Sequence, residues 1–364
     1  MSAESKGGPS RALDRLSLGL LATAGFVLVF VLSPLLGTVQ IPARDVFQIL
    51  LHELTYGYLF PQPCAGTHVS AALCTAYTIS VWQLIVPEIL LALAVGAALG
   101  ISGASLQGIF RNPLADPFLL GISSGGTIGA AIIYVYQIGL AEAYIYLPLF
   151  AFLGSIATGL VILGVARGRY SSVETLLLAG VALSYLLSAI LSLTLLSNPS
   201  GSVQVTFWLL GGLGLADWTY DGIVVGGVLI LAALLALHGR ELNLMQLGHD
   251  VAQSAGVDAR RVRLRVLLLA SMLTALAVAF TGVIGFVGLV SPHIVRRVVS
   301  SDYRVVLPGA AIVGAVFLLG ARDVSLLVYQ NSVLPIGIFT ALAGVPFFLY
   351  LLYRQRRSST MGGF

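Results

Sequence analysis

A loop that cradles nucleotide phosphates needs a lysine behind its glycines, because the ammonium reaches the terminal phosphates. The only lysine among these 364 residues is Lys6, in a polar N-terminal stretch. The G-x-x-x-x-G-K-[ST] pattern is absent, so ATP hydrolysis by that route is excluded. Other reactive residues are equally sparse. His293 has no second His, Cys or acid at metal-ligand spacing, and a lone histidine near a membrane interface fits a structural role. The chain contains no Ser-His-Asp arrangement, no paired carboxylates and no Cys-x-x-Cys. Its two cysteines, Cys64 and Cys74, fall in a segment read below as external, where disulfides form. A bonded pair and two free thiols both suit that placement.

Composition says which elements must carry these residues. Apolar residues make up 58% of the chain and charged residues 9%, with a mean hydropathy of +0.97. Soluble domains carry about 25% charged residues, so the main solvent of this chain is lipid. The net charge of +4 is too small and too dispersed to point to nucleic acid. Apolar stretches at 16–37, 83–108, 117–137, 145–166, 173–196, 205–238, 264–282, 283–298, 305–325 and 335–353 predict an all-α membrane protein of ten transmembrane helices. They form one domain, 16–353, between tails at 1–15 and 354–364. The first stretch exceeds the roughly 7–15-residue core of a signal peptide, and no small-residue cleavage site follows, which favours a retained span. A turn near Thr281-Gly282 divides the run from 264 to 298. With both termini cytoplasmic, 38–80 is an external loop and 239–263 a cytoplasmic one. Every lysine and arginine except Arg44 and Arg322 then lies inside, the asymmetry of the positive-inside rule. The expected location is the cell membrane, crossed many times.

Small residues recur at helical spacing in Gly96–Gln107 and Gly121–Gly129, which predicts closely packed helix faces, with helices that slide or tilt in a transport cycle as the functional alternative. Between them, Arg111-Asn-Pro-Leu-Ala-Asp-Pro117 reads as a tight turn with Asp116 capping the next helix. The segment 239–265 is the most informative loop. His249 or Asp250 can cap a short helix over Val251–Ala255, Gly256 can end it left-handed, and Asp258 can cap the helix that follows. That makes a compact knob on the arginine-rich side, suited to docking a partner.

Taken in order, Gly100-Ile-Ser-Gly-Ala-Ser-Leu-Gln107, Arg111–Pro117, Phe207-Trp-Leu-Leu-Gly-Gly212, the loop Asp250–Arg263, Gly285-Phe-Val-Gly-Leu-Val-Ser-Pro-His293 and Leu334–Phe348 resemble the FecCD-like permeases, the membrane subunits of type II ABC importers for iron-siderophores, haem or vitamin B12. The resemblance covers roughly 80–353. It implies the type II importer permease fold, a second copy of the chain across a two-fold axis, two ATPase subunits below and an extracytoplasmic substrate-binding protein above. It implies no cofactor in this chain, with ATP and Mg held by the ATPase. It places ATPase coupling on Asp250, Val251, Ala252, Ser254, Ala255, Gly256, Val257, Asp258 and Arg260. Its pathway helices are here about Thr175–Thr194 and Pro335–Tyr350, which offer Ser184, Ser188, Ser192, Gly337, Thr340 and Ala341.

One departure concerns docking of the binding protein. Family members often carry two arginines before the second span, where this chain has Ile85 and Glu88. The docking face is expected around Ile85, Glu88, Arg322, Asp323 and Leu326, with the 38–80 loop as an alternative surface. A proton- or sodium-coupled carrier would place ionisable residues in mid-membrane, whereas Glu174 and most other acids map to span ends. With few charges on the pathway helices, the expected cargo is a metal chelate, ahead of an oxyanion such as molybdate.

Overall fold

The structure is a computed structural model that describes residues 29–37, 39–58, 63–64, 69–138, 143–168, 173–328 and 335–361. Most of the expected first span lies outside these residues, as do 1–15 and 362–364. The helices are α1 (Ala43–Leu54), α2 (Ala71–Phe110), α3 (Ile122–Tyr136), α4 (Ala143–Ala166), α5 (Val173–Ser197), α6 (Ser202–Leu209), α7 (Trp218–Ala236), α8 (Gly239–Gln246), α9 (His249–Ser254), α10 (Ala259–Thr281), α11 (Val287–Val298), α12 (Tyr303–Val328) and α13 (Ile336–Met361). The described residues form no strand. Six helices, α2, α4, α5, α7, α10 and α12, are long and apolar enough to cross a membrane, and α3 and α13 carry shorter apolar stretches.

Glycine sets how closely these helices approach. A Cβ on Gly100 would overlap the carbonyl oxygen of Ala310, and one on Gly129 would overlap that of Phe150. Contact at backbone distance is how membrane helices associate where lipid gives no hydrophobic drive. It locks α2 to α12 and α3 to α4. The α2–α12 seam runs antiparallel over its whole length: Glu88 meets Arg322, Gly96 meets Gly314, Gly100 meets Ala310 and Gly108 meets Tyr303. α10 packs behind it against α2, α4 and α7.

The structure revises the expected elements at several points. The 38–80 segment is not all loop. It contains α1, and α2 already begins at Ala71, where the Ser70 hydroxyl accepts the Leu73 N–H at 3.3 Å. α2 widens to a π-helix over Ile79–Ile85, just before Pro87, which has no N–H to continue an ordinary ladder. The apolar run 205–238 is not one span. A continuous helix there would be about 50 Å long against a hydrocarbon core of about 30 Å. It breaks at Gly211, φ +68, and restarts at α7, where Asp217 accepts the Thr219 N–H at 2.8 Å. The turn expected near Gly282 is present, with φ +69. The 283–298 stretch is helical only from Val287, over 12 residues, about 18 Å of rise. Its extended lead-in is tolerated at membrane depth because protein covers it: a Cβ at Gly282 would overlap the Trp208 carbonyl, and Gly337 and Gly211 abut the Val283 carbonyl.

Candidate functional site

One end of the bundle gathers most of the described arginines. Arg111, with φ +49, follows α2. Arg260 donates to the Arg167 carbonyl, and Arg296 donates to Gln107 Oε1, whose Nε2 donates to the Gly288 carbonyl at 3.3 Å. Asp116 accepts the Phe118 N–H at 2.8 Å. Desolvation raises its carboxyl to about 6, and that N–H pulls the other way.

The knob 248–258 projects from this end. Its helix, α9, follows Gly248, φ +128, which stands at the N-cap position that the sequence offered to His249 or Asp250. Gly256, φ +78, makes the left-handed turn. Asp258 accepts the N–H groups of Arg260 and Arg261, each at 3.1 Å, and pairs with the Arg261 guanidinium at 2.9 Å. Asp250, Val251, Ser254, Ala255, Gly256, Asp258 and Arg260 are exposed, Val257 is half-buried, and Ala252 anchors the knob to the core. Sequence reasoning missed α8, which precedes the knob. Leu242 and Met245 bury its inner face, and Asn243 and Gln246 tie it to α12 and α2.

Ser184 and Ser188 come together in a cavity of about 240 Å³ with Phe118, Leu119, Val181 and Tyr185, between α5 and the 117–120 turn. No charged side chain lines it. The Ser184 hydroxyl donates to the Gly180 carbonyl at 2.8 Å, and Ser192 donates to that of Ser188 at 2.9 Å. Of the two serines in the wall, Ser184 has its hydroxyl satisfied by its own helix and makes no strong polar demand on a passing molecule. Gly337, Thr340 and Ala341 sit apart from them on α13. Gly337 abuts the Leu210 carbonyl, and Thr340 is buried with its hydroxyl on the Gly337 carbonyl at 3.0 Å.

At the opposite end, the residues expected to dock a partner are mostly internal. Ile85 is 6% exposed, Arg322 2% and Asp323 8%, while Glu88 and Leu326 are half-buried. Arg322 Nη2 lies 2.9 Å from Glu88 Oε2, and its Nη1 lies 3.0 Å from Asp323 Oδ1. Nη1 also donates to the carbonyls of Ser33 at 3.2 Å and Leu36 at 3.1 Å. The Ser33 hydroxyl donates to Asp323 at 2.7 Å. Cys64 and Cys74 are bonded, with Cα atoms 6.2 Å apart. Trp218 packs at a tilt against Trp82, ring centroids 4.8 Å apart, and its indole N–H donates to the Trp82 carbonyl at 2.9 Å.

The family model described as the FecCD transport family matches residues 25–354. The hemin transport system permease protein HmuU of Yersinia pestis is 42% identical over 74% of this chain and 82% of its own length. The cobalamin import system permease protein BtuC of Halobacterium salinarum is 40% identical over 73% of this chain and 71% of its own length. A solved structure described as an inward-facing conformation of a metal-chelate type ABC transporter is 28% identical. It superposes with a TM-score of 0.74 over 93% of this chain and 99% of its own.

Proposed function

This chain belongs to the FecCD transport family, and from that premise we propose that it passes a metal chelate of the haem, corrinoid or siderophore class into the cytoplasm as a two-fold dimer driven by separate ATPase subunits. As an ABC permease it is a membrane subunit and not itself an enzyme. The arginine-rich end is the cytoplasmic one in this reading, and the binding protein approaches the end that carries the disulfide. Cargo moves along α5 and α13, which two copies of the chain bring together at the axis.

The observation that carries the coupling role is the exposed helix α9, held between Gly248 and Gly256 at backbone angles that favour glycine and fixed behind by the Asp258 cap. A short rigid helix that shows Val251, 46% exposed, to solvent is suited to seat in a groove of an ATPase. The cargo assignment draws on the uncharged wall around Ser184 and Ser188, which suits an encapsulated metal and offers an oxyanion no cation. The haem and cobalamin relatives point the same way.

Val251→Glu and Ala255→Trp test the coupling. Both lie on the exposed side of the knob, so the bundle should still fold. Uptake driven by the complex is expected to fall at least tenfold, with loss of co-purifying ATPase or of transport per ATP hydrolysed. Uptake at the wild-type rate in both variants would remove the role. The cargo is tested by affinity of the cognate binding protein for haemin, cobalamin and ferric siderophores.

A further inference from the structure

α8 joins the knob to the bundle through two amide side chains. Asn243 Nδ2 donates to Asp302 Oδ1 at 2.6 Å, and its Oδ1 accepts the backbone N–H of Tyr303 at 2.9 Å. Both partners belong to the start of α12, which Asp302 itself caps through the Arg304 N–H at 2.8 Å. Nearly one turn further along α8, Gln246 Nε2 donates to the carbonyl of Gly108 at 2.8 Å, in the last turn of α2. A Cβ on Gly239 would lie 3.0 Å from Cα of Arg304. α8 is therefore held against α12 at its start and its middle and against α2 at its end. Beyond Gln246 only Leu247 and Gly248 separate it from α9.

The two helices it grips are in backbone contact along their seam. Contacts between Gly96 and Gly314 and between Gly100 and Ala310 are at backbone distance, and the far end of the seam is pinned by the Glu88–Arg322 pair. Close-packed helices respond to force as units rather than by continuous deformation. A displacement applied to α9 and carried by α8 must therefore move α2 and α12 together. The turn 111–121 follows directly from α2, and Leu119 in that turn lies against Gly180 of α5, at the cavity wall.

We propose that Asn243 and Gln246 are positioning residues of the transport cycle. They clamp α8 to α12 and α2, so that motion of the ATPase-docked knob reaches the cavity through the α2–α12 pair as a rigid strut. The proposal rests on the reading that α9 meets an ATPase.

The test uses the full permease–ATPase complex in proteoliposomes, with Ser188→Cys as a cavity reporter. The readout is the rate of thiol labelling with and without ATP, beside ATP hydrolysis. The parent is expected to show at least a fivefold ATP-dependent change in labelling. Asn243→Asp sets two carboxylates against each other, and Gln246→Leu removes the donor to Gly108. Each should keep hydrolysis within twofold and reduce the labelling change to less than twofold. The exchange Asn243→Asp/Asp302→Asn restores an amide–carboxylate pair, keeps an acceptor for the Tyr303 N–H and leaves an asparagine cap on α12. It should bring the labelling change back. A full labelling change in both single variants would overturn the proposal, and so would failure of the exchange to restore it. A parent complex that retains ATPase and hydrolyses ATP but shows no change in labelling overturns the strut alone. A chain that does not bind ATPase at all removes the coupling reading beneath it.

Discussion

Arg322 is a charge the fold can bury because every direction its guanidinium points meets an acceptor. Glu88 takes Nε and Nη2, while Asp323, Ser33 and Leu36 surround Nη1. Breaking such a pair from one side leaves the other charge uncompensated, at a cost of about 3–5 kcal/mol. The network also gives a physical reason for the acid at position 88, where the FecCD resemblance leads one to expect arginine: a second guanidinium there would face Arg322 across less than 3 Å of the present contact. Glu88→Arg should lower the melting temperature of the purified protein strongly. Adding Arg322→Glu should recover only part of the loss, because the charges at 88 and 322 pair again while the new carboxylate faces Asp323 and the Ser33 and Leu36 carbonyls lose their donor. If Glu88→Arg melts like the wild type, the pair carries no stability. The same network means that arginines at 85 and 88 would not recreate a docking surface, since Ile85 is buried against the Gly37 turn.

Among the elements, the α2–α12 seam and α7 give opposite predictions for the same substitution. Gly100→Ala puts a methyl group into the Ala310 carbonyl and must part the helices. Overpacking of that kind costs about 1–3 kcal/mol or more. Gly226, in α7, has no atom within 4 Å of an added Cβ, so Gly226→Ala should be neutral or stabilise by about 0.5–1 kcal/mol through helix propensity. Thermal melts of the two variants, side by side, check both signs. The small face of α2 was legible in the sequence because Gly96, Gly100 and Gly103 recur at helical spacing, whereas its partner α12 lies about 200 residues on and was not. The Asp258 cap was legible because it is encoded within a few residues; the Gly282 turn, hidden in a continuous apolar run, was legible because without it Arg296, Arg297 and Arg304 would fall outside. α8 was not, because what holds it lies far away in the chain: Asn243 bonds to residues 59 and 60 positions on, and Gln246 to one 138 positions back. The break in 205–238 was hidden because hydropathy stays high through Leu209-Leu-Gly-Gly-Leu213, and only the reach of a helix against bilayer thickness argues for it.

At the scale of the whole molecule, charge divides by end. Hydrogen bonds from Arg296 to Gln107, Gln246 to Gly108 and Arg260 to Arg167 gather the arginine-bearing termini of α2, α4, α8, α10, α11 and α12 on one side. Ser33, Glu88, Arg322 and Asp323 close the other end. Counting arginines along the chain finds this division but mistakes Arg322 for an exposed charge, because a pair separated by 234 residues leaves no local trace. Arginine-rich loops stay in the cytoplasm during insertion, and a disulfide such as Cys64–Cys74 persists in an oxidising compartment. Both arguments orient the molecule the same way. Two single substitutions test them with the native cysteines left bonded. Tyr58→Cys places a thiol on a residue 91% exposed, just past α1, and Ser301→Cys places one in the exposed turn before α12. A membrane-impermeant thiol reagent added to intact cells should label the first and not the second, and permeabilising the membrane should make the second reactive. Labelling of Ser301→Cys in intact cells would invert the orientation and put the knob, with its proposed ATPase contact, on the side of the membrane where no ATP is supplied.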